Sequence, residues 1–223
     1  SKLGSQLYIN YVRLRELTEL YQPTYQKSDF ILLKKERFKR SSDMRVQALI
    51  DNLPSQKGSY LDIGSQLGYF VFTIAERGFL SFGMEMHKVS YDYAMNVKNL
   101  NDIDNAHFIN LSLDKTVAEL LPSFDVISIL SVFHHLVHFQ GFAAADAIIK
   151  TLAAKCRSTF FFETGEYEEK GFYWTDDISF MGNNSKAWIQ NYLESAGFEK
   201  VRTIATTGTH LTEHKRTLYC CTK

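Results

Sequence analysis

Apolar and polar positions alternate along this chain in two rhythms. Short apolar or alternating runs predict seven strands, over 60–63, 80–86, 106–111, 124–131, 159–164, 200–206 and 217–222. Between them, apolar residues three and four apart predict helices over 68–77, 91–101, 114–121, 142–154 and 185–196. Gly78 and Gly197 follow two of these helices as natural caps, and Pro122 stops a third. Upstream, the same spacing predicts helices over 5–20 and 44–53, with a turn at Pro54, Lys57, Gly58 and Ser59. The run 124–131 is almost wholly apolar, as expected for a strand in the middle of a sheet. Strand–helix alternation implies a Rossmann-like, doubly wound α/β sheet. The last two strands have no helix between them, so they are expected to pair antiparallel at one edge.

Composition narrows the class. The 223 residues suit one domain with an extension, expected as a helical segment over 1–55 and a main domain over 56–223. A hydrophobic fraction of 45% with 22% charged residues excludes global disorder. Twenty-five basic residues balance 25 acidic ones, which argues against a nucleic-acid partner. Three cysteines, two of them adjacent at Cys220 and Cys221, cannot make a disulfide framework and point to a reducing, cytoplasmic setting. No apolar run is long enough to span a bilayer. The cluster Lys34, Lys35, Arg37, Lys39 and Arg40 reads as a solvated helix face, or as a surface that guides an anionic acceptor or touches an anionic membrane.

The first strand runs into Asp62-Ile63-Gly64-Ser65-Gln66-Leu67-Gly68-Tyr69-Phe70. Strand, glycine turn and helix together let a ligand approach backbone N–H groups at a helix start. A dinucleotide fingerprint needs a glycine where Gln66 stands, which counts against a pyrophosphate and so against a nicotinamide cofactor. Asp62 at a strand end would repel a diphosphate and attract a cationic ligand such as the sulfonium and ammonium of S-adenosyl-L-methionine. Glu85 ends the second strand, where a carboxylate can accept hydrogen bonds from a ribose diol.

These residues resemble the first two cofactor motifs of class I S-adenosylmethionine-dependent methyltransferases, whose seven-stranded sheet ends in an antiparallel strand. The resemblance implies S-adenosyl-L-methionine as cofactor, held by Asp62, Gly64, Gln66, Gly68, Phe70, Glu85 and Met86. It sets Asn110, Leu111 and Ser112 beside the adenine, with Leu111 where the family usually has an acidic residue. Ser131 and Val132 close the cofactor set, and Arg45 is expected on the methionine carboxylate.

Beyond the fourth strand lies Ser131-Val132-Phe133-His134-His135-Leu136-Val137-His138. Ligands of open α/β sheets bind outside the carboxyl ends of the strands, so these histidines are placed for chemistry. The two adjacent ones project differently and no further ligand follows at a familiar spacing, so no metal is expected. This segment resembles the methyltransferase domain of bacterial O-antigen chain terminators, bifunctional methyltransferase–kinases that cap a polysaccharide with a methylated phosphate. Glu163, Gly171-Phe172-Tyr173-Trp174, and Thr209-His210-Leu211 with Arg216 and Leu218-Tyr219 extend the similarity, in order, from about Arg45 to Tyr219. It implies a phosphorylated glycan or small-molecule acceptor and a kinase or glycan-polymerase partner.

A phosphate oxygen is already anionic near neutral pH and needs donors, for which His134, His135, His210 and Arg216 are the candidates. A sugar hydroxyl needs a general base, which His134 or His135 supplies. The residues fit both acceptors, and the resemblance favours phosphate. Glu163 is expected to be catalytic or to orient a histidine. His138, Tyr173 and Trp174 are expected against the substrate, and Trp188 with Tyr192 in the core. A methyltransferase-like scaffold without turnover is the alternative from another class.

Overall fold

The computed structural model describes residues 42–208 and 213–223. The predicted helix over 5–20, the basic cluster at 34–40 and His210 lie outside the described residues. The chain forms α1 (Ser42–Asp51), β1 (Ser59–Ile63), α2 (Tyr69–Ala75), β2 (Leu80–Glu85), α3 (Lys88–Leu100), β3 (Ala106–Asn110) and α4 (Lys115–Leu120). There follow β4 (Phe124–Leu130), α5 (Phe133–Gln140), α6 (Phe142–Lys155), β5 (Cys156–Glu163), a 3₁₀ turn (Asp176–Met181), α7 (Ser185–Ser195), β6 (Lys200–Gly208) and β7 (Lys215–Thr222).

The seven strands make one sheet in the order β3-β2-β1-β4-β5-β7-β6. The first five are parallel, and β7 runs antiparallel to both β5 and β6. The expected antiparallel pair is therefore present, with β6 outermost and β7 slotted against β5. Strand order reverses between β1 and β4, the switch point where such sheets open a crevice at their carboxyl ends.

Period-two alternation explains the two cores. Leu61, Ile63, Ile127, Ile129, Phe160 and Phe162 point to the face covered by α4 to α7. Tyr60, Val126, Phe161 and Leu218 point to the other face, where Val46 and Leu49 of α1 and Phe70 and Ile74 of α2 cover them. Helix α3 adds Tyr93, Ala94 and Val97 on that side, against Val71 and Phe72 of α2. Burial on both faces is why β4 and β5 read as apolar runs.

Two helical pieces escaped the pattern. The segment Phe133–Gln140 is a helix, set off from α6 by Gly141 at φ 80°. Its run of Val, Phe, Leu and three His carries no clear period. The 3₁₀ turn is too short to show one.

Candidate functional site

A cleft of about 320 Å³ opens at the carboxyl ends of β1, β2 and β4. Gly64 forms its floor at φ 73°, and a Cβ there would stand 2.6 Å from Cγ2 of Val132. The N–H groups of Gly64 and Ser65 donate to the Met84 carbonyl at 2.8 and 3.0 Å. The N–H of Gln66, itself at φ 47°, donates to the Glu85 carboxylate at 2.8 Å. That carboxylate also accepts from the His87 N–H at 2.7 Å. Glu85 thus ties the glycine turn to β2. Burial raises its pKa, against the lowering effect of these N–H bonds. Met86, Leu111, Ser112 and Leu113 line the apolar side of the cleft.

Ser131 lines the cleft at φ 62°, an unusual backbone for a residue with a Cβ, costing about 1 kcal/mol or more. Its hydroxyl donates to the Glu163 carboxylate at 2.6 Å and accepts from Arg216 at 3.2 Å. Its N–H donates to the Glu163 carbonyl at 2.7 Å.

The opposite wall comes from α5 and the loop after β5. Helical spacing sets His135, His138 and Phe139 on one side of α5, while His134 turns inward. His135, Leu136, Phe139, Gln140 and Tyr173 line the cleft. The Tyr173 hydroxyl and Nδ1 of His135 lie 2.9 Å apart, which orients the imidazole at the mouth. Partial burial raises the Tyr173 pKa, so the phenol stays protonated and able to donate. Phe139, 71% exposed, adds an aromatic face to the rim.

Several expected site residues lie elsewhere. Asp62 is under the cleft, accepting from the Ser128 hydroxyl at 2.6 Å beside the Tyr60 hydroxyl. Burial pushes its carboxyl up to about 7, offset only in part by Ser128 and Arg45, so it is no fixed anion at the ligand. Arg45 does not face the cleft. It is 2% exposed and paired with Glu163, a terminal nitrogen donating to one oxygen at 3.0 Å and Nε 2.9 Å from the other. Glu163 thus places its carboxylate between Arg45 and Ser131. Arg216 is buried and forked onto Glu169 at 2.6 and 2.9 Å, so it is not open to an acceptor. Removing one partner of such a buried pair typically costs about 3–5 kcal/mol.

His134 is buried, its Nδ1 accepting from the Gly165 N–H at 2.8 Å. Trp174 packs on it at 4.5 Å and stacks on Phe172, closing the core below the loop. His138 pairs with Asp177 at 2.6 Å on the outer rim. Phe70 is core, with Arg45 over its ring. Gly68 starts α2 at φ 81°, where a Cβ would meet the rings of Phe108 and Phe72. The Asn110 amide donates to the Glu85 and Met86 carbonyls, bracing the strand end. Trp188 stacks on Tyr192 as expected.

Of the expected residues, the cleft gathers Gly64, Glu85, Met86, Leu111, Ser112, Ser131, Val132, His135 and Tyr173. Gln66 reaches it through Glu85. Sequence reasoning missed Ile63, Met84, Leu113, Leu130, Leu136, Phe139 and Gln140. Phe139 was detectable once His135 was on a helix, being four residues on. One oxygen each of Glu166 and Glu168 and a nitrogen of His214 lie within 4.8 Å of one another, outside the cleft lining. Glu166 and His214 already bond each other at 2.8 Å.

No protein-family model matches the chain. It is 28% identical over 128 residues to an O-antigen chain terminator bifunctional methyltransferase/kinase, WbdD, of Escherichia coli. That stretch is 56% of this chain and 18% of the relative. The crystal structure of WbdD superposes with a TM-score of 0.78 at 23% identity, covering 96% of this chain and 46% of that one. Magnesium protoporphyrin IX methyltransferase (ChlM) from Synechocystis PCC 6803, solved with bound S-adenosylhomocysteine, superposes at 0.62 with 18% identity over the whole of both chains. The chain thus spans about half of the solved WbdD chain and a smaller share of the curated relative. It has the class I methyltransferase fold and resembles the methyltransferase domain of the bifunctional chain terminator.

Proposed function

We propose that this chain transfers a methyl group from S-adenosyl-L-methionine to an oxygen, and that the acceptor is a phosphate at the end of a glycan. The observation that carries the reading is the cleft itself. Its inner wall is a glycine turn bound to Glu85, and its mouth holds a tyrosine-braced histidine. The cofactor supplies an electrophilic methyl group when bound. Gly64 and Val132 give the close backbone approach, and Glu85 suits a ribose diol. Met86, Leu111 and Leu113 offer an apolar bed for a base. ChlM, of the same fold, was solved with S-adenosylmethionine and with S-adenosylhomocysteine, which supports this assignment.

His135 is the acceptor-side residue. With the Tyr173 phenol donating to Nδ1, Nε2 carries the proton and would donate to an anionic acceptor oxygen. The similarity to WbdD supports a phosphorylated glycan end and a kinase partner. One observation favours a second acceptor. The described lining of the cleft contains no Lys or Arg, which suits a sugar hydroxyl with His135 in its other tautomer, Nδ1–H donating to the Tyr173 oxygen and Nε2 acting as base.

The proposed methyltransferase domain is 56–223, with α1 from the preceding segment laid on it through Val46 and Leu49. A cytoplasmic setting fits three free, buried cysteines. No described helix is long and apolar enough to cross a membrane. The test offers labelled S-adenosylmethionine with a phosphorylated and an unphosphorylated glycan. Label on the phosphorylated one alone, with loss of one phosphate ionisation by phosphorus NMR, supports phosphate. Label on both supports hydroxyl, and label on neither refutes both acceptors.

A further inference from the structure

We propose that Arg216 is a positioning residue for the cofactor cleft, acting on it through Ser131. The proposal deepens the reading above and rests on the cleft being a S-adenosylmethionine site.

Ser131 sits in the cleft lining where β4 leaves the sheet, with φ at 62°. A left-handed backbone at a residue with a Cβ persists only where its surroundings impose it. Glu163 takes the Ser131 N–H on its carbonyl and the hydroxyl proton on its carboxylate. The hydroxyl has one proton, and Glu163 receives it. Arg216 donates to a lone pair of the same oxygen, at 3.2 Å, so the side chain is held from two directions.

Arg216 is itself aimed. Its Nε and one terminal nitrogen fork onto Glu169, which fixes the guanidinium plane and leaves the other terminal nitrogen for Ser131. Glu169 is tied in turn to the Glu166 N–H at 2.9 Å, so the anchor belongs to the loop after β5. Arg45 holds Glu163 from the far side. The order is Glu169, Arg216, Ser131, Glu163, Arg45, and every member but Ser131 is at most 3% exposed. A guanidinium buried in this way does not meet an acceptor. It sets the main-chain shape of the cleft at Ser131.

The test is calorimetric titration with S-adenosylhomocysteine. Replacing Arg216 alone would leave Glu169 charged and unpaired in the interior. The informative protein is therefore the double variant Arg216→Gln/Glu169→Gln, which removes both charges and keeps side-chain amides. It is compared with the wild type and with the same double variant carrying Ser131→Gly. The double variant should bind about tenfold more weakly, the equilibrium equivalent of the left-handed penalty the clamp offsets. Ser131→Gly should restore most of that loss, because glycine takes positive φ without a Cβ clash. A merely structural Arg216 would give no such rescue. Wild-type affinity in the double variant, or no recovery in the triple, overturns the proposal. If the double variant does not fold, Arg216→Lys with and without Ser131→Gly answers the same question. Lysine keeps the charge opposite Glu169 but lacks the fork that also reaches Ser131. Wild-type protein that binds no S-adenosylhomocysteine removes the cofactor reading, and this proposal with it.

Discussion

On the inner wall of the cleft, shape comes from the main chain. Gly64, Gln66 and Ser131 hold φ of 73°, 47° and 62°; the Met84 carbonyl fastens the first, and buried carboxylates at Glu85 and Glu163 the other two. On the outer wall, shape comes from side chains. His135, Phe139 and Tyr173 line it, and a hydrogen bond between His135 and Tyr173 joins two of them. The inner wall is fixed by main-chain turns and buried hydrogen bonds. The outer wall can be rebuilt by changing a few surface residues on α5 and one loop. A shared fold can keep its cofactor while its acceptor changes.

The contrast breaks first at His135. His135→Ala should lower turnover about a thousandfold, within the range for a positioned proton-transfer or anion-holding group. Affinity for S-adenosylhomocysteine should stay within about threefold, since His135 belongs to the outer wall. Equal losses in both would mean the walls are not separable. Next is Gly64→Ala, which meets Val132 at 2.6 Å in a left-handed turn. Cofactor affinity should fall about a hundredfold with the circular dichroism unchanged, as a clash and backbone strain together imply. Wild-type affinity would remove Gly64 from the site.

Asp62 marks the depth of the inner wall. Its folded pKa is about 7, raised by burial from an ordinary carboxyl value, so the folded state binds a proton that the unfolded state has lost. Its stabilising share is complete below about pH 4 and is lost as pH rises through 7. Asp62→Asn should flatten the denaturation midpoint between pH 4 and 7 and leave cofactor affinity nearly unchanged. A large loss of affinity would return Asp62 to the ligand. The smallest effect belongs to Tyr173→Phe, which keeps the ring and removes the bond to His135. It should lower turnover about fivefold, a hydrogen bond's worth, with cofactor binding intact.

These walls differ in legibility too. The inner one was readable because glycine spacing and strand ends carry backbone information. Asp62-x-Gly64 and Glu85 mark the crevice in the sequence alone. What the spacing could not convey was direction. Asp62, Arg45 and Arg216 stand at the expected places in the chain, yet their side chains turn into buried pairs with Ser128, Glu163 and Glu169. A charged residue near a strand end can face the ligand or a partner from a distant element, and only packing decides. The outer wall was less readable because α5 showed no period. Without the helix, His134 and His135 were equal candidates for the acceptor, whereas one is in the core and the other at the mouth. Seven strands and an antiparallel close were legible because they depend on order and length alone.

The central claim is that the inner wall is an S-adenosylmethionine site. Titration of the purified chain with S-adenosylmethionine and with NAD in parallel tests it most directly. Saturable, micromolar heat with the first and none with the second is the predicted result. Binding of NAD, or of neither, would contradict it.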